Sequence, residues 1–225
     1  MNTSKIKANV KKAADLFRQR KIKQLILEKS SDKVPVRGEF TIEVFKNGEK
    51  VDEFKEHNLI TDEARSFFAK IVIGATDGVV INNLRLGTSG HVGDDYFTPR
   101  TAIDGFTSAR TDLFCGTKTT ENRFLKWDKL EFIPSGSVNI TEARVTDDGS
   151  ANNSVVDIAY AVSETGSPSI TYTFSIAQEA FNLRGDAKYT EAGLFANNEM
   201  IAMRTFKLKA KDSETSFRIT WVLVF

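Results

Sequence analysis

Few side chains in this 225-residue chain have the types that do chemistry, and their spacing decides how far each goes. His91 stands three and four residues before Asp94 and Asp95, an imidazole and two carboxylates of the kinds that bind divalent cations. A lone His-x-x-Asp-Asp is not a specific ligand pattern, and the only other histidine, His57, belongs to a different segment. Solvated loop carboxylates are the expectation, with no metal. Asp94–Asp95 and Asp147–Asp148 are paired acids, but neighbours along a chain point apart and both pairs sit in turn-like text, so acid–base catalysis is not indicated. Cys115 is the single cysteine; it makes neither an intramolecular disulfide nor a multi-Cys zinc site, and it is expected to be a small buried apolar residue. Tyr96, Phe97 and Trp127 offer rings that would stack on sugars, a thin set for a carbohydrate site. Glu191 and Arg204 are placed to face each other across a hairpin as an exposed pair. The expectation is no catalytic residue, no cofactor and no metal.

Composition narrows the class. No apolar run approaches the roughly 20 residues that cross a bilayer, so no membrane span is expected. The first 30 residues are dotted with lysines where a secretory signal needs an unbroken apolar segment, so the expected compartment is a cytosol. The net charge of +1 hides an asymmetry: residues 1–33 carry ten Lys or Arg against three Asp or Glu, and the rest carries 21 against 27. A basic arm on an acidic body suggests contact with an acidic partner surface, which identical neighbours already provide.

The elements that must hold these groups divide at about residue 33. In the arm, Thr3 and Ser4 suit a helix cap, and Ile6, Val10, Ala13 and Phe17 step by four, three and four along one stripe. The stripe then fails, and Ile22, Leu25 and Ile26 point to another side, so the helix bends near residue 20 or touches two partners. Phe17 is the only aromatic in the arm, which disfavours nucleic-acid stacking and membrane anchoring. Residues 30–38 read as a linker. Beyond it, residues 34–225 read as short strands separated by turns, which argues for a mainly β fold: an antiparallel β-sandwich or barrel-like domain with the N-terminal amphipathic helix and one short internal helix.

Several local signals are specific. Asn47-Gly48 turns Phe40, Ile42 and Val44 into Val51–His57; Thr61 caps a helix over DEARSFFAKIVIG with Ala64, Phe67, Phe68 and Ile71 inward and Gly74 at its end. Leu84 and Leu86 form a strand before a long loop at 87–107, marked by Gly87, Gly90, Gly93 and Pro99. Strands follow at 124–133, at Val138, Ile140 and Val145, and at 170–176, with turns at 147–150 and 166–168. The closing stretch 189–225 reads as a three-strand meander turning at Asn197-Asn198. Its last strand puts Phe217, Ile219, Trp221, Leu223 and Phe225 on one face, with Val222 and Val224 behind. At about 1.5–3 kcal/mol for each large apolar side chain, that face must be buried. Gly193 leaves room for a neighbouring strand or ring.

Three of these stretches, in order, resemble structural proteins of tailed-bacteriophage virions: HNLITDEARSFFAKIVIG, LRLGTSG, and YTEAGLF with MIAMRTFKLKAK and FRITWVLVF. They cover about residues 57–90 and 189–225; the basic arm is not in the shared pattern. The resemblance implies a non-enzymatic virion subunit, made in the host cytoplasm. It would form a symmetric homo-oligomer at the neck, tail or baseplate and contact other virion structural proteins through its N-terminal helix. The expected interaction residues are Ile6, Val10, Ala13, Phe17, Ile22, Leu25, Ile26, Trp221, Leu223 and Phe225. The alternative is a carbohydrate- or receptor-binding β module of a tail fibre.

Overall fold

Alternation of apolar and polar residues with a period of two writes most of this chain into strands. The computed structural model describes residues 36–74, 80–116, 122–126, 137–140, 144–147, 150–152, 156–163, 168–183 and 188–225. The protein is mainly β, with antiparallel sheets. One sheet of six strands has the order β2-β1-β15-β12-β11-β8: β1 is Arg37–Lys46, β2 Glu49–His57, β8 Ser137–Ile140, β11 Val156–Ser163, β12 Ser169–Ile176 and β15 Thr215–Val224. The other has seven, in the order β10-β9-β7-β4-β13-β14-β3. Here β3 is Leu59–Ile60, β4 Asn83–Gly87, β7 Asn122–Lys126, β9 Arg144–Asp147, β10 Ser150–Asn152, β13 Tyr189–Ala196 and β14 Glu199–Lys209. A small hairpin, β5 (His91–Val92) with β6 (Asp95–Pro99), stands apart.

The closing strand lies inside its sheet, as apolar residues on both its faces require. β15 pairs with β1 on one side and β12 on the other, so Trp221 stands between Phe40 and Tyr172. Phe217, Ile219, Trp221 and Leu223 are buried, and one apolar cluster joins them to Phe40, Ile42, Phe174, Leu84, Leu194 and Phe206 from both sheets. Trp221 and Leu223, expected among the interaction residues, therefore have no surface in this chain to offer. The apolar side of a central strand is used up by the opposite sheet. Phe225 is partly buried, edge-on to Phe68 at 5.3 Å.

Two of the turn expectations hold at the backbone, and those at 147–150 and 166–168 fall largely outside the described residues. Asn47 and Gly48 take φ of 53° and 85°, and Asn197 takes 55°, the left-handed values that Asn and Gly reach at least cost. The internal helix α1 (Asp62–Val72) begins where Thr61 accepts the Ala64 N–H at 3.1 Å, with Asp62 and Glu63 in its positive first turn. Ala64 and Phe67 are buried, but Ile71, expected inward, is 43% exposed and Ile73 just past the helix 77%, so the helix has lost its cover by its last turn. Thr61 has a second duty: its hydroxyl donates to the Met200 carbonyl, and its N–H to the Ile201 carbonyl at 3.1 Å, which sews the helix start to β14. Thr61→Val keeps the shape and removes both side-chain bonds. It should lower stability by about 1–3 kcal/mol in urea unfolding, and an effect under 0.5 would show that water replaces them.

Charged side chains tie the two sheets together along one side. Lys209 of β14, almost without exposure, donates to Asp52 of β2, and Arg204 of β14 lies 3.8 Å from Glu56 of β2. Past β14, the buried Lys211 ammonium donates to the Gln178 carbonyl, to Asn182 Oδ1 and to the Asp212 carbonyl at 2.8–3.2 Å. Burial pulls its pKa down from 10.5 to about 8, against the pull of Asp212 and Glu179. A lysine lowered on folding is protonated less readily in the native state than in the unfolded chain. Between about pH 8 and 10.5 the unfolded chain therefore binds the extra proton, and this lysine's contribution to stability rises with pH across that window. Lys211→Met lacks this titration, so urea unfolding of parent and variant should give a stability difference, parent minus variant, that rises from about pH 8 to 10.5.

Candidate functional site

The long loop is the part of the fold with the most unusual construction. Residues 88–116, termed the strap, run from the end of β4 across the outer face of the seven-stranded sheet. Leu113 and Cys115 of the strap are buried with Phe195, Met200 and Met203 of the sheet, and Phe106 and Phe114 pack against them. This second cluster is separate from the main core. Strand β13 thus has all eight residues buried, one face serving each cluster.

A carboxylate closes the strap. Glu191, in the middle of β13, has no exposure, and its oxygens accept the N–H groups of Ser89 at 3.2 Å, Phe114 at 2.7 Å and Cys115 at 2.9 Å. The first lies at the strap's beginning and the other two at its end. Thr190 adds the Gly90 N–H at 2.9 Å, Thr205 donates to the Arg100 carbonyl at 2.9 Å, and the Asp62 N–H reaches the Ser108 carbonyl at 2.8 Å. Gly87 is required by this closure: a Cβ there would stand 2.5 Å from Cys115 Sγ and 2.6 Å from Glu191 Oε1. One β13 neighbour of Glu191 is equally constrained. At Gly193 a Cβ would meet the Phe195 ring at 2.7 Å and Leu113 at 3.0 Å, the close ring approach expected from sequence.

Arginines finish the strap by stacking. The guanidinium groups of Arg100 and Arg110 lie over the Phe114 ring at 4.6 and 3.8 Å, and Arg110 also donates to the Asp112 and Leu113 carbonyls. Arg85 covers Phe195 at 3.9 Å and pairs with Asp112 at 3.3 Å. Arg204 does not meet Glu191. The register sets Glu191 opposite Thr205 and Ala192 opposite Arg204, so the two side chains leave opposite faces of the hairpin, one inward under the strap and the other toward Glu56 and the His57 carbonyl.

The groups with chemical potential are held as fasteners. Burial, opposed by the three N–H bonds, raises the Glu191 pKa, and burial with the nearby Glu191 charge pushes the Cys115 thiol up, away from the thiolate that a nucleophile needs. His91 has its ring 4.2 Å from that of Tyr96 and its Nδ1 3.2 Å from the Thr190 hydroxyl; burial and Arg100 lower its pKa. Asp95 accepts from the Phe97 N–H and the Thr98 hydroxyl, so it shapes the β5–β6 turn. Among the described residues no three His, Cys, Asp or Glu side chains converge as a metal site would, and no helix is long and apolar enough to cross a membrane. Outward from the strap stand Phe97 and Ile103, the latter 97% exposed on a 3₁₀ turn.

Of the interaction residues expected from sequence, Ile6, Val10, Ala13, Phe17, Ile22, Leu25 and Ile26 lie outside the described residues, as do Trp127 and Asp148. Glu191 as the strap's anchor was not foreseen. Its signal was present as a single acid inside the otherwise uncharged run YTEAGLFA, where only a partnered carboxylate would be tolerated. Searches against protein-family models, curated proteins and solved structures find no match to this chain.

Proposed function

We propose that this chain is a non-enzymatic structural subunit of a tailed-bacteriophage virion. It has a β-sandwich body, assembles into a symmetric homo-oligomer at the neck, tail or baseplate, and docks on a neighbouring component through its basic N-terminal helix. The observation that carries the reading is that the three stretches resembling virion proteins meet in space and bond to one another. Thr61 of the first bonds the Met200 and Ile201 carbonyls of the third, and Ser89 and Gly90 of the second bond Glu191 and Thr190 of the third. Their side chains pack, cap and fasten. What such a unit supplies to a particle is a stiff body, with the arm's apolar stripe and positive charge left for a neighbour.

The arm is the cheapest part to test. Deleting residues 1–30 should leave a body whose thermal unfolding matches the full chain, yet one that fails to enter particles in a complementation assay scored by electron microscopy. Normal incorporation of the truncated protein would remove the arm from the mechanism. A tail-fibre sugar-binding module is the competing reading, and Phe97, at 67% exposure, is the ring it would use; binding on a glycan array, lost in Phe97→Ala, would favour it.

A further inference from the structure

The six-stranded sheet has a second face, turned away from the core, and its make-up is unusual for a surface that meets only water. Residues alternating with the buried set of β15 and β12 are Ser, Thr and Val, with Arg218 the one charged side chain that these two strands put outward. The pairing registers line them up: Thr41, Thr220 and Thr173 form one row across three strands, and Glu39, Val222 and Thr171 form the next. Solvent-facing strands normally carry long charged side chains, which also discourage association. Here the long chains gather on β2, where only Phe54 of nine residues is less than exposed, and at Glu39 and Glu43 of the adjoining β1, which pair with Lys55 and Lys50 of β2.

We infer that this face is where a second copy of the chain docks, like face against like face. The inference rests on the homo-oligomer proposed above and names the surface that makes it. Short β-branched and hydroxyl side chains at even height suit sheet-on-sheet packing at about 10 Å, and they lose little rotamer freedom on burial. The charges are self-complementary: Glu43 and Arg218 are neighbours in register, 3.9 Å apart, so a two-fold axis passing beside this pair sets each copy's Arg218 toward the other's Glu43, whereas a face of one sign would repel its twin. A depression of about 340 Å³ beside Phe45, Ile176 and Arg218 gives the partner's arginine a place to lie. Strands of eight to ten residues, spaced about 4.8 Å and rising about 3.3 Å per residue, make β1, β15 and β12, with β2 as their charged rim, a plane on the order of 500 Å². Side-chain relief brings its accessible area toward the ~800 Å² that each partner gives to a standard interface.

The experiment uses the full-length chain and reads its mass in solution by sedimentation from about 1 to 100 μM. Thr220→Lys and Thr173→Lys each put an ammonium in the middle of the face while leaving the core untouched. Both should keep the melting temperature measured at dilution and weaken self-association at least 100-fold, while Thr220→Ser and the off-face control Ile103→Lys associate as the parent does. A parent that stays a monomer throughout would overturn this inference and the homo-oligomer reading together. A parent that associates, with both lysine variants associating equally well, would overturn the face alone. Loss of association in Phe17→Glu but not in the lysine variants would also overturn it, assigning the contact to the arm.

Discussion

Replacing Trp221 by alanine should cost about 3–5 kcal/mol of unfolding free energy, the range for emptying a large aromatic site in a core. The indole has no exposure and meets the Phe40 ring edge-on at 4.9 Å, while Phe40 in turn stacks on Phe206 of the opposite sheet at 5.5 Å. Trp221 thus sits at the head of a ring column that passes from one sheet to the other, and it is paired in register with both flanking strands. Removing it opens a cavity that backbone-paired neighbours on each side are least able to collapse into. Since small proteins hold about 5–15 kcal/mol in all, this one change should consume a large share. Trp221→Phe should cost clearly less, because it keeps a ring beside Phe40 and deletes an indole N–H that has no partner among the described residues. Urea unfolding followed by circular dichroism reads both. A loss under 1 kcal/mol for the alanine variant would mean that the column is not what joins the sheets.

The same residues show why some of this structure was visible in the sequence and some was not. Period-two runs such as Phe217–Leu223 and Tyr172–Ile176 declare a face by themselves, since burial of alternate residues needs no knowledge of the partner. Turns at Asn47-Gly48 and Asn197-Asn198 were equally plain, because few residues accept a positive φ. What failed was anything set by a partner distant in sequence. Ile71 has the right helical spacing to be inward, yet nothing in the text states where along α1 its cover ends. Trp221, Leu223 and Phe225 were apolar enough for an interface, and only the second sheet shows that the first two are used at home. The pairing of Glu191 with Arg204 assumed that facing residues across a hairpin share a face. The β13–β14 register shifts between Tyr189 and Glu191 and again between Leu194 and Phe195, and it puts Ala192 opposite Arg204. A one-residue change of register turns a side chain to the other face, so an expected surface pair became a buried anchor and a separate surface arginine.

Glu191→Ala should be the most damaging single change outside the main core, and its damage should be local in a way that Trp221→Ala is not. Three strap N–H groups, those of Ser89, Phe114 and Cys115, would lose their acceptor in a place closed to solvent. Each orphaned buried donor costs about 1–3 kcal/mol, and water entering the small void recovers part of it, so a net loss of about 3–5 kcal/mol is expected. Amide hydrogen exchange should become fast at Phe114 and Cys115 while the paired amides of β1 and β15 keep their protection. Glu191→Gln separates charge from geometry. Its carbonyl oxygen still serves the Ser89 and Cys115 N–H groups, and its amide nitrogen faces the Phe114 N–H in place of an acceptor, for a cost of about 1–2 kcal/mol. The pH dependence has a definite sign. Because the native carboxyl holds its proton above the ordinary 4.5, the native state binds more protons than the unfolded chain just above that pH, and this group's contribution to stability falls as pH rises until the native carboxyl has ionised as well. The margin by which the parent exceeds Glu191→Gln should therefore shrink from pH 4.5 upward and then level off. A margin that widened with pH would show that the three N–H groups outweigh burial and hold the carboxylate below its ordinary range, with the strap fastened more tightly by charge than its burial allows.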